Sequence, residues 1–236
     1  MSSGIIQEIE KEKIIVIVRG ADSDHIIPLA EAMYKGGIRF LEITYDQSGK
    51  TSDAETAGMI RALAAEFGGK LCVGAGTVLT EKQVELTHAS GGEFIISPDV
   101  NEEVIRMTKK LRMISVPGAM TPTEIAKAHR CGADFVKIFP ASTLGPAYIK
   151  AVSAPLSGIK LLAVGGIDEN NMNDFLRAGV CGFGVGSNIV NKKMIRNNDW
   201  DGIERLAMKF REELFRTDPA AAVRQINSEN KEQDKK

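Results

Sequence analysis

Residues 133–141, ADFVKIFPA, are the stretch from which the rest of the chain can be interpreted. The apolar and β-branched residues predict a short buried strand that ends at Pro140, because proline cannot donate to a strand ladder. Side chains alternate between the two faces of a strand, so Phe135, Lys137 and Phe139 share one face. Between two phenylalanines the amine is poorly solvated, which lowers the lysine pKa from about 10.4. A neutral amine of this kind forms imines with carbonyl substrates.

A second interpretation of Lys137 stays open at this point. The aliphatic part of the side chain could be buried at a strand end while the ammonium group reaches water. The stretch alone does not separate the two interpretations, so the other segments of the chain decide between them.

The composition bounds the number of domains and the class of partner. The 236 residues are 43% hydrophobic and 26% charged, with a net charge of -1. This is enough for one large domain or two small ones. A near-neutral chain lacks the basic field that attracts nucleic acids and anionic membranes, so neither is expected as a partner. Local groups would therefore have to hold any phosphate-bearing ligand.

Cysteine usage and apolar runs indicate the compartment. Cys72, Cys131 and Cys181 are far apart and form no CxxC pair, which favours a reducing compartment and argues against a zinc site. Glutamates within residues 8–12 interrupt a signal-peptide pattern, and no apolar run approaches the ~20 residues that a membrane helix needs. We expect a soluble, cytoplasmic protein.

Strand patterns alternate with helical patterns along the chain. Besides the Lys137 strand, predicted strands lie at residues 14–19, 38–45, 71–74, 93–96, 113–116, 160–164 and 182–185. Their continuous apolar runs are typical of strands buried on both faces, as in parallel sheets. Between them, capping boxes at residues 52–55, 80–83 and 121–124 predict helix starts, and Gly-Gly pairs such as Gly36-Gly37 predict helix ends.

Eight strands, each followed by a helix, predict an α/β fold of the (β/α)8 or TIM barrel class, which typically needs about 250 residues. Residues 1–13 are predicted to form an N-terminal helix, residues 14–216 a single barrel domain and residues 217–236 a polar C-terminal tail. A doubly wound open sheet is the alternative, but no GxGxxG opens a helix after the first strand.

Polar side chains stand at the predicted C-terminal ends of the strands, where a barrel carries its active site. They are Arg19, Glu42, Thr44, Thr77 and Lys137. Buried charge at these positions favours a functional role, because a buried ion pair adds little net stability. The structural alternative is that Glu42 forms an ion pair with Arg19 or Lys137 that only satisfies buried charge.

Two glycine-rich turns follow the predicted seventh and eighth strands, at residues 164–167 (VGGI) and 184–187 (GVGS). Glycines let backbone N–H groups approach an anion, and Ser187 adds a hydroxyl. The loops after these two strands are the usual phosphate site of the fold. The alternative is that the glycines only permit tight turns between strand and helix.

The chain resembles the 2-keto-3-deoxy-6-phosphogluconate / 4-hydroxy-2-oxoglutarate aldolase family over residues 5–215. The resemblance rests on residues 41–44 (LEIT), 74–77 (GAGT), 96–98 (ISP), 136–141 (VKIFPA), 165–167 (GGI), 186–187 (GS) and 199–201 (DWD). It implies a class I aldolase that needs no metal or cofactor and is usually a homotrimer. Lys137 would be the Schiff-base lysine and Glu42 the general acid/base.

The resemblance also implies the remaining site residues. In the family pattern Thr77, Pro98 and Phe139 would line the pyruvate end of the substrate, and Gly165, Gly166 and Ser187, with the neighbouring Gly186, would hold its phosphate. Arg19 and Thr44 are expected to bind substrate because of their places at the strand ends. Two positions depart from the family pattern, where an arginine usually follows the glutamate by four residues and a threonine precedes Gly-Gly. Here they are Asp46 and Val164, so Arg19 would have to anchor the substrate carboxylate, or the donor keto acid differs.

The leading prediction is therefore an aldehyde-lyase that cleaves a 2-keto-3-deoxy or 4-hydroxy-2-oxo acid, phosphorylated in the first case, to pyruvate and an aldehyde. Two other classes remain as alternatives. A phosphate-binding barrel isomerase or epimerase would use Glu42 as base and form no imine. A non-catalytic sugar-phosphate binder would gain thermal stability from its ligand without turnover.

Overall fold

The strand segments pair side by side in parallel around a closed core in the computed structural model, which describes residues 2–217. The strands are β1 (Ile14–Val18), β2 (Phe40–Thr44), β3 (Cys72–Gly76), β4 (Phe94–Ile96), β5 (Ile114–Val116), β6 (Gly118–Ala119), β7 (Val136–Ile138), β8 (Leu161–Val164) and β9 (Gly182–Val185). The predicted (β/α)8 barrel class is confirmed.

Helices surround the strands and connect them in order. They are α1 (Ser2–Glu12), α2 (Ile26–Lys35), α3 (Asp53–Glu66), α4 (Glu81–Ala89), α5 (Glu102–Lys110), α6 (Pro122–Arg130), α7 (Ala141–Ser153), α8 (Met172–Arg177), α9 (Lys192–Arg196) and α10 (Trp200–Thr217). The predicted tail lies outside the described residues, apart from Thr217 at the end of α10. No helix within residues 2–217 is long and apolar enough to cross a membrane.

The predicted strand at residues 113–116 is β5, and after Pro117 a two-residue strand that was not predicted, β6, follows, so the sheet has nine strands rather than eight. The order is β5-β4-β3-β2-β1-β9-β8-β7-β6. β5 pairs with β4, and β6 pairs with β7. Proline has no N–H to donate, but its carbonyl accepts the backbone N–H of Lys137 at 2.9 Å. The β5–β6 segment therefore brings the two ends of the sheet together, and the Lys137 strand is β7.

Alternation along each strand separates two apolar cores. Val136 and Ile138 of β7 belong to the larger core between strands and helices, whereas Phe135 belongs to a second core inside the barrel. The inner core contains Ile9, Ile15, Phe40, Phe94, Ile96, Ile114, Val116, Phe135 and Leu162. Helix α1 contributes Ile9 to it and closes the N-terminal end of the barrel. The C-terminal end is left for polar residues.

An ion pair fastens α10 to α1. Arg211 Nη1 donates to the Glu12 carbonyl at 2.9 Å, and Nη2 lies 2.9 Å from Glu12 Oε2. Both side chains are about nine-tenths buried, with exposed fractions of 10% and 9%. The guanidinium also stacks over the ring of Phe215, 4.7 Å from its centroid. The last helix is thereby fixed to the helix that closes the barrel.

Helix starts follow the capping patterns, with one difference. Ser52 and Thr121 form complete capping boxes. Thr80 accepts the N–H of Gln83, but the Gln83 side chain accepts from Leu79 N at 2.9 Å instead of from the Thr80 backbone. The predicted box at residues 80–83 is therefore only half formed, because the glutamine side chain has a different partner.

Candidate active site

A cavity of about 460 Å³ opens at the C-terminal end of the barrel. It is lined by Ile17, Arg19, Glu42, Thr77, Pro98, Lys137, Phe139, Val164, Gly165, Gly166, Ile167, Gly184, Gly186, Ser187 and Asn188. The cavity brings together ten of the eleven site residues predicted from the sequence. Thr44 is the exception.

Lys137 lies on the wall of this cavity and is only 7% exposed. Its Nζ lies 4.7 Å from the centroid of the Phe139 ring. Burial lowers the pKa of the amine, the Glu42 carboxylate opposes that change, and the Arg19 guanidinium adds to it. An ammonium group that reaches bulk water does not fit this environment. The structure instead holds an amine that loses its proton more easily than an ordinary lysine.

Glu42 is 2% exposed, on the inward face of β2. Burial raises the pKa of its carboxyl to about 7, although the charges of Lys137 and Arg19 pull it down. Neither cation is within 4.0 Å of the carboxylate, and Oε2 has no hydrogen-bond partner among the described residues. The alternative of a simple buried ion pair is therefore not what the geometry shows. Lys137 and Glu42 influence each other's pKa without forming an ion pair.

Arg19 stands at the rim of the cavity, directly after β1. Its Nη2 donates a hydrogen bond to Thr77 Oγ1 at 3.0 Å. Thr77 has a φ of 55°, a left-handed conformation that is uncommon for a β-branched residue. The hydroxyl at the end of β3 thus fixes the direction of the only arginine that lines the cavity.

The two glycine loops follow β8 and β9 and form the part of the cavity wall next to β1. Gly165 and Gly166 have φ values of 93° and 71°, which a residue with a Cβ rarely adopts. The carbonyl of Gly165 accepts Ser142 N at 3.0 Å, and that of Gly166 accepts Asn171 Nδ2 at 2.8 Å. With both carbonyls engaged, the backbone N–H of Gly166 has no acceptor within residues 2–217 and is available to an anion.

The second loop is joined to the first. Asn188 Nδ2 donates to the carbonyl of Ile167 at 2.7 Å. The backbone N–H groups of Ile189 and Val190 donate to the Gly186 carbonyl at 3.0 and 2.9 Å. This turn carries Ser187 on the cavity wall. The two loops therefore form one hydrogen-bonded surface with backbone and hydroxyl donors. Within residues 2–217, Arg19 and Lys137 are the only basic side chains on the cavity wall.

Thr44 lies outside this cavity although alternation predicts it on the face of Glu42. Its hydroxyl donates to the Val18 carbonyl at 3.3 Å, and it lines a neighbouring cavity of about 240 Å³ that shares Arg19. Thr44 is the last residue of β2, where the wall between β1 and β2 opens into this neighbouring space.

Asp46 also lines the neighbouring cavity rather than the one that contains Lys137 and Glu42. Its carboxylate accepts backbone N–H groups from Ser48, Lys50 and Thr51 at 3.0, 2.7 and 3.0 Å, as well as the Ser48 hydroxyl. The Ser48 backbone and hydroxyl, then the Thr51 N–H, lower the pKa of Asp46 to about 2. This aspartate stabilises its own loop, so it does not stand where a substrate carboxylate would meet it.

Two lining residues, Ile17 and Asn188, lie outside every motif identified in the sequence, and two others, Ile167 and Gly184, lie in the two glycine-rich turns without having been assigned a role. Ile17 and Gly184 could have been found by alternation, since they precede Arg19 and Gly186 by two positions on the same strands. No sequence pattern pointed to Asn188. Among residues 2–217, no group of three or more His, Cys, Asp or Glu side chains could hold a metal ion.

A buried amine, a buried carboxylate, a fixed arginine and a surface for anions together permit imine chemistry on a keto acid. Comparison with known proteins agrees. A family model described as KDPG and KHG aldolase matches residues 5–206. The chain belongs to the KDPG and KHG aldolase family.

Relatives of the aldolase match over most of their length. The chain is 34% identical to 2-dehydro-3-deoxy-phosphogluconate aldolase of Haemophilus influenzae over 206 residues, covering 86% of this chain and 92% of the relative. It is 36% identical to 2-dehydro-3-deoxy-6-phosphogalactonate aldolase of Escherichia coli K12 over 180 residues, covering 76% of this chain and 85% of the relative.

A solved structure shares the fold as well as the sequence. KDPG aldolase from Legionella pneumophila, with pyruvate captured at low pH as a covalent carbinolamine intermediate, is 32% identical and superposes with a TM-score of 0.74. The match covers 83% of this chain and 91% of that chain. The protein is a class I aldolase, an aldehyde-lyase. The isomerase and the non-catalytic binder are not favoured.

Proposed function

We propose that the aldolase cleaves a substrate of the 2-keto-3-deoxy-6-phosphogluconate or 4-hydroxy-2-oxoglutarate type to pyruvate plus glyceraldehyde 3-phosphate or glyoxylate. Lys137 is the Schiff-base lysine and Glu42 the general acid/base. One observation carries the assignment: the two groups are buried on the walls of one cavity and influence each other's pKa, yet they are not in contact. The space between them suits a substrate.

The chemistry follows from the two protonation states. Neutral Lys137 attacks the 2-keto carbon, and loss of water gives an iminium that withdraws electrons from C3. Ionised Glu42 takes the proton of the C4 hydroxyl, directly or through a water. The C3–C4 bond then breaks, which releases the aldehyde and leaves an enamine on Lys137. Glu42 returns the proton to C3, and hydrolysis releases pyruvate and the free amine.

Two different parts of the cavity wall suit the two charged ends of the substrate. Arg19, fixed by Thr77, offers a cation to the carboxylate of the keto acid. The surface formed by Gly165, Gly166 and Ser187 offers backbone and hydroxyl donors to a phosphate. Phosphate recognition by such neutral donors agrees with the net charge of -1.

The relatives include both a phosphogluconate and a phosphogalactonate aldolase. The substrates in these two names differ only in configuration at C4, so both epimers should be compared. Val164 lines the cavity with a side chain that cannot donate or accept a hydrogen bond. We therefore propose a panel of both phosphorylated epimers, their unphosphorylated forms and 4-hydroxy-2-oxoglutarate. The ranking of kcat/KM for pyruvate release identifies the substrate.

Borohydride trapping tests the Schiff base. Pyruvate and borohydride should add one reduced pyruvate to the protein, and peptide mass spectrometry should locate it on Lys137. Lys137→Arg should remove both the adduct and cleavage. Lys160→Arg is the matched control, since Lys160 also faces an aromatic ring, that of Phe135, at 5.7 Å. A Lys137→Arg variant that still cleaves would refute the assignment.

We also propose a homotrimer in the cytoplasm. Met120 is an apolar side chain that is 45% exposed, and a contact with a second copy would cover it. All three cysteines are free, which suits a reducing compartment. Light scattering should give three times the chain mass of 25.5 kDa. A monomeric mass would refute the trimer.

A further inference from the structure

We infer that Gly76 is a positioning residue for Glu42: the absence of a side chain at the end of β3 creates the space that holds the Glu42 carboxylate facing Lys137. The inference rests on the acid/base role proposed for Glu42. It concerns how the barrel keeps a buried carboxylate in place when Oε2 has no hydrogen-bond partner among the described residues.

The contact between the two residues is very close. A Cβ added to Gly76 would lie 1.5 Å from Oε1 of Glu42, 2.3 Å from Cδ and 2.7 Å from Cγ. These three atoms are the nearest to the added Cβ, and all belong to the one side chain. The Glu42 carboxylate therefore occupies the volume that any other residue at position 76 would need for its own side chain.

The backbone conformation gives no separate reason for this glycine. Gly76 is not among the glycines with positive φ, unlike Gly165 and Gly166 on the other side of the cavity. An alanine could adopt the same φ and ψ. Gly74, on the same face of β3, meets a different neighbour, since an added Cβ there would lie 2.4 Å from Phe94. Contact with the catalytic carboxylate is thus particular to Gly76.

The backbone of β3 cannot easily move away to accommodate a methyl group. Gly76 is the register partner of Thr44, and its carbonyl accepts the N–H of Tyr45 at 2.9 Å. Tyr45 itself is fully buried. Because β2 and β3 are held together at this point, a methyl group on Gly76 would displace the flexible Glu42 side chain instead.

Displacement of the Glu42 carboxylate should slow proton transfer but leave imine formation at Lys137 intact. A shift of about 1 Å in a reacting group can cost roughly 10²-fold in rate, and general acid–base catalysis contributes about 10²- to 10⁴-fold. We expect Gly76→Ala to lower kcat for cleavage by about 10²-fold or more. The pyruvate adduct on Lys137, trapped with borohydride at equilibrium, should form to the wild-type extent.

The experiment compares Gly76→Ala with Glu42→Gln and with Gly58→Ala, a matched control in α3 where an added Cβ meets nothing within 4 Å. Gly58→Ala should keep wild-type kinetics. Thermal unfolding adds a second measurement: Gly76→Ala should lower the Tm of the wild-type chain but not that of Glu42→Ala, in which the clashing atoms are gone. This comparison also serves if Gly76→Ala alone fails to fold.

The outcomes separate the inference from the proposed function. If Glu42→Gln loses cleavage while Gly76→Ala cleaves like the wild type, the inference is overturned and the role of Glu42 stands. If Glu42→Gln cleaves normally, the proposed role of Glu42 fails, and the inference falls with it. Loss of the Lys137 adduct in Gly76→Ala, or an equal Tm loss with and without Glu42, would show damage that does not act through Glu42, and overturns the inference.

Discussion

Arg19 Nη2 and Thr77 Oγ1 are joined by a hydrogen bond of 3.0 Å that connects the ends of β1 and β3. The bond fixes the guanidinium whose charge adds to the lowering of the Lys137 pKa and partly opposes the rise that burial causes in the Glu42 pKa. Under the proposed function, the Thr77 hydroxyl would act on the reaction through Arg19 as well as through any contact of its own with substrate.

Removing that hydroxyl should weaken substrate binding. A hydrogen bond to a charged group contributes about 1.5–3 kcal/mol, so Thr77→Val should raise KM for the keto acid by roughly tenfold or more. The valine is also β-branched, which leaves the backbone strain at φ 55° unchanged. Thr77→Ser keeps the hydroxyl and should keep KM near the wild-type value. Equal KM values for the two variants would contradict the role of the bond.

The phosphate end can be tested at Gly186 without disturbing the fold. An added Cβ there would lie 3.8 Å from Ile17 Cβ, an ordinary contact, and the position lines the cavity. Gly186→Ala should therefore fold normally but reduce the room for a phosphate. We expect KM to rise several-fold for phosphorylated substrates and to stay unchanged for the unphosphorylated ones. An equal rise in KM for phosphorylated and unphosphorylated substrates would mean that the phosphate binds elsewhere.

The raised pKa of Glu42 predicts a pH dependence of stability. Below about pH 4.5 the carboxyl is protonated in the folded and the unfolded chain. As pH rises towards about 7, the folded chain keeps a proton that the unfolded chain has lost, so the free energy of unfolding falls. The total fall is roughly 3 kcal/mol. Above about pH 7 the loss is complete.

Glu42→Gln removes the titrating group and should remove this part of the pH dependence. Urea unfolding of both proteins at about pH 5 and pH 8 measures the difference. The advantage of the wild type over the variant should shrink as pH rises. A constant difference between the two proteins would mean that the Glu42 carboxyl has an ordinary pKa.

The ion pair at the closed end of the barrel should matter for stability and not for catalysis. Arg211→Met leaves Glu12 buried without its main cation and should cost about 3–5 kcal/mol in the free energy of unfolding. The double variant Glu12→Leu/Arg211→Met removes both charges and should recover most of that loss. Both variants should keep kcat for cleavage at a temperature where they are folded. If the double variant were even less stable than Arg211→Met, Glu12 and Arg211 would not act as a coupled ion pair.

Much of this site follows from strand periodicity. Alternation along the predicted strands places Glu42, Lys137 and Phe139 on inward faces, and parallel pairing brings the strand ends together. The Gly-Gly turn at Gly165 is likewise visible as a sequence pattern. These features depend on local rules, so a single sequence is enough to predict them.

Other features depend on three-dimensional neighbours and could not be predicted in this way. Thr44 lies on the same face of β2 as Glu42, as alternation predicts. It is the last residue of the strand, however, and it lines the neighbouring cavity instead. The contact of Gly76 with Glu42 requires the register between β2 and β3, which no local pattern contains. The short helix α9 has only five residues, too few for a helical period, although Asn191 caps it through the N–H groups of Lys193 and Met194.

Asp46 has a consequence for attempts to redesign specificity. Its carboxylate accepts four hydrogen bonds from residues 48–51, so exchanging it for the arginine of the family pattern would strip those donors of their acceptor while adding a cation. The loop and the residue at position 46 have to change together, because an arginine cannot accept the hydrogen bonds that this loop donates. Transplanting the whole segment 46–52 from a relative is therefore a better engineering route than the single substitution.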